Sequence, residues 1–204
     1  MADGRSSRRW GGRAGEGHEG LEPARAKLPG MDVPQYARIE HERKWLVRQG
    51  PLGLVNPRPF SRRLRDRYLA CGRLRLRAIE ESDGKPTRYK LTKKYPAASL
   101  DAQPIVSMFL SQAEYAALLT LPGWDLVKTR RYDQVGGWQF SVDLFEGVHA
   151  GLVLCEAEAD SPEELARIVR PLYAVREVTH ESAFTGGALA RAGGLEGFEL
   201  LGPG

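Results

Sequence analysis

The sequence predicts a mainly β protein whose eight strands form an antiparallel sheet that closes or curves strongly, with a few flanking helices. Three observations support this fold class. Apolar residues recur mostly at every second position, which is typical of strands. Eight such segments follow one another along the chain, and only a few short helical patterns interrupt them.

The strands and helices can be placed in order along the chain. Between the third and fourth strands, the turn at 83–86 (Asp-Gly-Lys-Pro) is typical of a hairpin. Ser111 caps a first short helix, with Glu114 in the capping-box position. A second helix is expected over 161–173, because Ser-Pro-Glu-Glu places proline in its first turn, and a last helix near 181–192. The eight strands are predicted at 36–47, 64–71, 73–79, 88–95, 105–110, 126–133, 138–146 and 152–159.

The composition excludes several classes of protein. The chain has 204 residues, with 30 Lys and Arg against 26 Asp and Glu, and 42% of its residues are hydrophobic. No stretch approaches the roughly 20 apolar residues of a membrane helix, and no apolar core follows the basic residues at the start as a secretory signal requires. Cys71 and Cys155 cannot build a disulfide framework and lack metal-pair spacing. A cytoplasmic location is therefore expected.

Three regions divide the chain. Residues 1–33 are rich in Gly, Arg, Glu and Ala and have no hydrophobic period, which predicts a disordered leader. An Arg-Gly arm for nucleic acid is the alternative for this leader, although three glutamates dilute its charge. Residues 34–191 are predicted to form one domain, and residues 192–204 a flexible tail.

Charges on the predicted strands are sorted by sign. Because alternate side chains share a face of a strand, like charges repeat along one face of several strands. Such repeats are unfavourable unless something of opposite sign lies between them. The carboxylates on these faces are Glu40 and Glu42 on the first strand, Asp143 on the seventh, and Glu156 and Glu158 on the eighth. The cations are Lys44, Arg73, Arg75, Arg77, Lys90, Lys94, Lys128 and Arg130.

Each of the two sets suits a different ligand. Grouped carboxylates suit a hard divalent cation such as Mg²⁺ or Mn²⁺, whereas grouped Arg and Lys side chains suit phosphate oxygens. A polyphosphate bridged to a metal ion would satisfy both sets together. The alternative is that these charges simply lie on the solvent-exposed face of a half-covered sheet. That interpretation explains one strand easily but six sign-sorted strands poorly.

The ordered motifs resemble those of the CYTH superfamily, the triphosphate tunnel metalloenzymes. The first match is Glu-His-Glu-Arg-Lys at 40–44, and the resemblance extends over about 36–191. It implies an eight-stranded antiparallel β-barrel that is open at both ends and carries the sorted charges on its inner wall. The further matches are Leu-Arg-Leu-Arg at 74–77, Lys-Leu-Thr-Lys-Lys at 90–94, Lys-Thr-Arg at 128–130, Val-Asp-Leu-Phe-Glu-Gly at 142–147, residues 154–158, and Val-Thr at 178–179.

The resemblance also implies metal-dependent hydrolysis of a triphosphate, with Mg²⁺ or Mn²⁺ as cofactor. The implied metal ligands are Glu40, Glu42, Asp143, Glu156 and Glu158. The implied substrate-binding residues are Lys44, Arg75, Arg77, Lys94 and Arg130, with weaker additions from Lys90 and Lys128. Glu42, Lys44 and Arg130 would be catalytic, with Glu42 orienting or deprotonating the attacking water.

Two departures from the family pattern keep other functions open. The closing segment often reads Asp-x-Arg-Tyr in the family but is Glu-Ser-Ala-Phe at 181–184, and the fifth strand has no acidic residue. Both changes leave room for a different substrate or for a single metal. The alternatives are an adenylate cyclase of the same fold and a non-catalytic module that binds polyphosphate or nucleotide. The expected partner is a small triphosphate-containing molecule, not nucleic acid or a membrane, and a homodimer remains open.

Overall fold

The computed structural model describes residues 33–48 and 53–196. The predicted leader therefore lies outside the described residues except for its last position, and so does the tail beyond 196. The described residues contain nine strands: β1 (Arg38–Val47), β2 (Pro57–Leu69), β3 (Leu74–Glu81), β4 (Arg88–Lys94), β5 (Ala102–Leu110), β6 (Gly123–Val135), β7 (Trp138–Phe145), β8 (Val153–Ala159) and β9 (Ala174–Glu177). The α-helices are α1 (Gln112–Leu119), α2 (Pro162–Arg167) and α3 (Gly186–Ala192).

Eight of these strands form a closed antiparallel barrel, which confirms the predicted fold class. The strand order is β5-β4-β3-β2-β6-β7-β8-β1, and pairing of β1 with β5 closes the barrel. β1 pairs with both β5 and β8. Only its first half pairs with β5, from Arg38 opposite Ile105 to His41 opposite Ala102. β9 extends the sheet by pairing with the last residues of β1, where β5 no longer reaches.

Several element boundaries differ from the sequence prediction. β2 begins at Pro57 instead of 64, and α2 ends at Arg167 instead of 173. The helix stops because Ile168 has an extended backbone, and Pro171 soon afterwards disfavours helical geometry at the residue before it. The predicted last helix is split, since Thr185 is extended and caps α3 after a short 3₁₀ turn. α1 begins with the predicted capping box.

Two hydrophobic clusters hold the barrel. The first lies between the outer faces of β1, β7 and β8 and helix α2, and is centred on the fully buried Trp45 and Phe140. The second lies at one end of the barrel, where Leu46 and Leu154 continue the inward faces of β1 and β8. There the C-terminal segment 178–192 packs against them through residues such as Phe184. Apolar residues thus close the charged interior of the barrel at one end.

The helices lie outside the barrel wall or across its end. Among the residues that the structure describes, the longest helix has eight residues and could not cross a bilayer.

Candidate active site

The charged residues predicted for the site meet inside the barrel. A cavity of about 250 Å³, here called the charged chamber, is lined by eleven of the twelve residues that the resemblance nominated. The twelfth, Asp143, lies behind this wall and bonds to Arg130. Strand alternation is the reason for the convergence, since every nominated position falls on the inward face of its strand. The eleven are Glu40, Glu42, Lys44, Arg75, Arg77, Lys90, Lys94, Lys128, Arg130, Glu156 and Glu158.

Arg130 joins carboxylates from two neighbouring strands. Its guanidinium donates two hydrogen bonds of 2.7 Å to Asp143 and a third of 2.5 Å to Glu156. Lys128 also bonds to Asp143, whose side chain is fully buried. Glu156 has a second partner in Lys44, whose Nζ lies 3.1 Å from Glu156 Oε1 and 3.1 Å from Glu42 Oε1. The result is one continuous ion network across β1, β6, β7 and β8.

The network stays charged because its members compensate one another. Burial by itself raises the pKa of Glu156, but Lys44, Lys128 and Arg130 outweigh it and hold that pKa well below its usual range. Burial also lowers the pKa of Lys44, yet Glu156 and Glu42 raise it above its usual value. Fixed and largely buried charges of this kind are suited to stabilising charge on a bound anion.

A second buried ion pair joins β2 and β3 in another part of the barrel wall. Asp66 on β2 accepts two hydrogen bonds of 2.6 Å from Arg77, which lies opposite it on β3. Burial raises the pKa of Asp66, but Arg77 and then Arg75 outweigh it and lower the pKa to about 2. The sequence analysis did not assign Asp66, although alternation from Leu64 places it on the inward face. Its contacts orient Arg77 toward the chamber.

Asp66→Asn is expected to destabilise the fold by about 3–5 kcal/mol at pH 7, because Arg77 would keep its charge without its counterion. The wild-type carboxyl has a lowered pKa, so its contribution is complete above the unfolded value near 4 and is lost as the pH falls through about 2. The difference in unfolding free energy between variant and wild type should therefore shrink on acidification. Urea denaturation at pH 7 and at lower pH measures it.

Asp125→Asn is the matched control, because Asp125 pairs with Arg67 on the exposed surface. It should cost no more than about 1 kcal/mol. An equal loss in both variants would contradict the structural role of Asp66.

Three glutamates crowd one side of the chamber. Glu42 lies directly opposite Glu158 in the β1–β8 pairing, and Glu40 precedes Glu42 on the same face. Each has one cation: Lys94 lies 3.0 Å from Glu40, Lys44 3.1 Å from Glu42, and Arg38 3.2 Å from Glu158.

Their pKa values show the crowding. Burial, followed by repulsion from Glu156, raises the pKa of Glu42. Burial and the charges of Glu40 and Glu42 raise the pKa of Glu158. Burial also raises the pKa of Glu40, but Lys94 outweighs it and leaves a lowered value. Each of these glutamates thus has one cationic partner, and the partner of Glu42 is shared with Glu156.

The opposite side has an excess of cations. The Nε of Arg75 is buried and has no hydrogen-bond partner within the described part of the chain. Burial lowers the pKa of Lys90, and the neighbouring Arg75 and Arg77 lower it further. Such a wall suits phosphate oxygens, because they accept hydrogen bonds from several cations at once.

The structure adds residues that the sequence analysis missed. Arg38, Arg62 and Tyr132 also line the charged chamber. Arg62 lies over the rings of Phe60 and Tyr132, at 5.1 and 5.5 Å from their centroids, and donates a 2.9 Å hydrogen bond to the Tyr132 hydroxyl. The predicted second strand began too late to include Arg62. Continuing its alternation backwards from Leu64 would have placed Arg62 on the inward face.

The chemistry of the crowded carboxylates fits a divalent metal. In residues 33–48 and 53–196, no three His, Cys, Asp or Glu side chains converge closely enough to hold an ion as they stand. Glu40, Glu42 and Glu158 nevertheless offer the oxygen donors that Mg²⁺ and Mn²⁺ prefer, and a cation between them would relieve their repulsion. Asp143 and Glu156 differ, since each already has two cationic partners.

A second cavity continues from the charged chamber. It has a volume of about 590 Å³, is here called the larger chamber, and shares Glu40, Glu42, Lys44, Arg75 and Lys94 with the first. Its remaining walls come from the β2–β3 turn, the loop before β5 and the C-terminal segment 178–191. A ligand in the charged chamber could thus extend beyond it.

The chain is similar to solved structures over about two thirds to three quarters of its length. The crystal structure of the hypothetical protein NE1496 is 26% identical to this chain, covers 74% of it and 97% of its own length, and has a TM-score of 0.50. This likeness is consistent with the resemblance of the sequence motifs to the CYTH superfamily. A crystal structure under the name inorganic triphosphatase NE1496 is 25% identical, with 74% and 93% coverage and a TM-score of 0.49.

A further solved structure has a similar fold. The PH1819 protein from Pyrococcus horikoshii OT3 is 17% identical, covers 68% of this chain and 92% of its own, and has a TM-score of 0.50. No family model matches the chain, and no curated protein matches it by sequence.

Proposed function

We propose that this protein hydrolyses a triphosphate in the charged chamber with the help of Mg²⁺ or Mn²⁺. The observation that carries the proposal is the division of one cavity into a cationic wall and a crowded carboxylate side. A metal-bound triphosphate is complementary to both. The proposal is also supported by the likeness to NE1496, which has been named an inorganic triphosphatase.

The cations have two roles in this proposal. Arg75 and Lys90 face the cavity and would bind phosphate oxygens directly, as would the N–H groups of Arg77 that do not bond to Asp66. Lys44, Lys94, Lys128 and Arg130 are held by carboxylates and would stabilise the charge that develops on the leaving diphosphate. Arg130 is the best oriented of these, because three hydrogen bonds fix its guanidinium.

Glu40, Glu42 and Glu158 would hold the metal, which supplies charge neutralisation at the phosphate oxygens when bound. A ligand role for Asp143 and Glu156 stays a prediction, and their contacts favour positioning of the cations. Glu42 would also orient the attacking water or accept its proton, because its carboxylate is held beside the phosphate-binding wall by Lys44.

Phosphate release tests the proposed function. Purified protein is incubated with inorganic triphosphate, ATP or thiamine triphosphate in the presence of Mg²⁺, Mn²⁺ or EDTA. At least one substrate should be hydrolysed with Mg²⁺ or Mn²⁺, and EDTA should lower the rate by about 100-fold or more. Cyclic AMP from ATP would identify a cyclase instead. Binding without phosphate release would identify a non-catalytic module, and either result would overturn hydrolysis.

A further inference from the structure

Lys44 joins two acidic side chains inside the charged chamber. Its Nζ lies 3.1 Å from Glu42 and 3.1 Å from Glu156, and only 14% of its side chain is exposed. The backbone of β1 at this residue sets where the ammonium lies, because the side chain projects from it into the barrel. The contacts that hold this part of β1 therefore bear on the geometry of the site.

The backbone of Lys44 is held by the segment that follows β9. Its carbonyl accepts a 2.8 Å hydrogen bond from the N–H of Val178, and its N–H donates a 3.0 Å hydrogen bond to Oγ1 of Thr179. Both groups of Lys44 lie on the edge of β1 that faces β9, since the N–H and C=O of one strand residue point the same way. β9 itself ends at Glu177, opposite Trp45. A side-chain hydroxyl thus replaces the backbone carbonyl that a longer β9 would supply.

Glu177 fixes the direction of the Thr179 hydroxyl. A hydroxyl has one proton to donate, and this one lies 2.7 Å from Oε1 of Glu177. The Lys44 carbonyl is a poorer acceptor for it, because it lies 3.4 Å away and already accepts from Val178. With the proton directed to Glu177, a lone pair of the oxygen is left for the N–H of Lys44. Thr179 is only 8% exposed, so water is a poor substitute for this contact.

Arg43 holds Glu177 from the outer face of β1. Its guanidinium donates hydrogen bonds of 2.9 and 2.5 Å to the two carboxylate oxygens of Glu177, and a third of 2.8 Å to the Ile168 carbonyl. The hydrogen bonds from Arg43 keep the pKa of Glu177 below its usual range, so the carboxylate remains a charged acceptor. Three side chains thus lead from the outer wall of the barrel to the backbone of Lys44.

We propose that Thr179 is a positioning residue for Lys44, and that Glu177 and Arg43 act through Thr179. This inference rests on the proposed function, in which Lys44 stabilises the charge that develops on the leaving diphosphate. The Thr179 hydroxyl fixes the backbone from which Lys44 reaches between its two carboxylates. Its effect should fall on the chemical step more than on substrate binding, to which several other cations contribute.

Steady-state kinetics provide the first test. Thr179→Val removes the hydroxyl but keeps the branched shape of the side chain. We expect kcat per folded protein to fall by about tenfold and KM to change by less than about threefold, because Lys44 is displaced from its place in the transition state. Thr179→Ser keeps the hydroxyl and should restore kcat to within about threefold of wild type. An unchanged kcat in Thr179→Val, or a loss that Thr179→Ser does not restore, would overturn the inference.

Thr129 offers a matched control on the outer face of β6. Its hydroxyl donates a 2.9 Å hydrogen bond to Glu146, which Arg63 also binds. This second group of a threonine, a glutamate and an arginine joins side chains to one another and not to the backbone of a site cation. Thr129→Val should leave kcat and KM within about twofold of wild type. A loss as large as that of Thr179→Val would contradict a specific role for Thr179.

A double mutant tests the role of Glu177. Glu177→Ala removes the acceptor at an exposed position and should lower kcat less than Thr179→Val does, because the hydroxyl remains. The double mutant should have the kcat of Thr179→Val alone, within about twofold, since both changes act through one hydroxyl. If the two losses multiplied instead, Glu177 would act on the site independently, and that part of the inference would be wrong.

Amide hydrogen exchange separates failure of the inference from failure of the proposed function. Exchange at the Lys44 N–H is followed by NMR on the ligand-free protein and requires no turnover. It should be faster by about tenfold in Thr179→Val and close to the wild-type rate in Thr179→Ser and Thr129→Val. If no triphosphate is hydrolysed but the exchange responds in this way, the proposed function fails and the positioning of Lys44 stands. An unchanged exchange rate in Thr179→Val would overturn the inference whatever the activity.

Discussion

Arg130→Met is expected to abolish triphosphate hydrolysis and to destabilise the barrel by about 3 kcal/mol. The substitution leaves Asp143 and Glu156 buried after the loss of three hydrogen bonds from one guanidinium. The loss of stability should be near the lower end for a broken buried pair, because Lys128 and Lys44 remain as partners. The rate should fall by about 10²–10³, the usual effect of removing one preorganised donor.

Arg130→Lys separates the charge of this side chain from its geometry. Lysine keeps the charge, but a single ammonium cannot reproduce the planar fork that bonds to Asp143 and Glu156 together. Most of the stability should return, whereas most of the lost activity should not. Phosphate release measures the rate, and urea denaturation measures the unfolding free energy.

Arg63→Met is the control for this prediction. Arg63 bonds to Glu146 on the exposed surface, so its loss should cost less than about 1 kcal/mol and leave the activity unchanged. If the rate of phosphate release by Arg130→Met were within tenfold of the wild-type rate, the role proposed for Arg130 would be wrong.

The position of the charged wall could be predicted from sequence because alternation is a local property of a strand. Arg75 and Arg77, or Glu40 and Glu42, lie two residues apart and must share a face wherever the strand lies. On β1, β7 and β8 the other face packs in the first hydrophobic cluster, as Trp45 does, which leaves the charged face for the interior. The nominated residues therefore converge once the barrel closes.

The pairing of those charges could not be predicted, because it depends on register between strands that are distant in sequence. Arg130 meets Asp143 because β6 and β7 pair at that position, whereas Lys44 meets Glu156 through the pairing of β1 with β8. No local sequence pattern shows which carboxylates have two cationic partners and which have only one. That difference separates Glu156 from Glu42 in the proposed mechanism.

Some features of the structure could not be predicted from the sequence, for other physical reasons. β9 has four residues, which is too short to show a period of two. The larger chamber arises where the C-terminal segment 178–191 packs across the barrel end, a contact between elements that no sequence motif announced. The closing segment Glu-Ser-Ala-Phe at 181–184, which departs from the family pattern, contributes part of this chamber's wall.

Glu42→Gln and Glu158→Gln are each expected to lower metal-dependent turnover by about 100-fold or more while the barrel stays folded. An amide oxygen is neutral and a poorer ligand than a carboxylate for Mg²⁺ or Mn²⁺. Binding of Mn²⁺, measured by calorimetry, should weaken in parallel with turnover. Glu80→Gln is the control, because Glu80 pairs with Arg63 and Arg65 away from the site. Unchanged turnover and Mn²⁺ affinity in both site variants would contradict the metal assignment.

The effect on stability distinguishes these glutamates from their neighbour Glu156. Burial and Glu156 raise the pKa of Glu42, so its charged form is already disfavoured and replacing it with a neutral amide should cost little stability or none. The pKa of Glu156 is lowered by Lys44, Lys128 and Arg130, so Glu156→Gln should destabilise the barrel. Urea denaturation of the two variants should therefore give clearly different losses. Equal losses would mean that Glu42 is as firmly bound into the ion network as Glu156, and hence poorly placed to hold a metal.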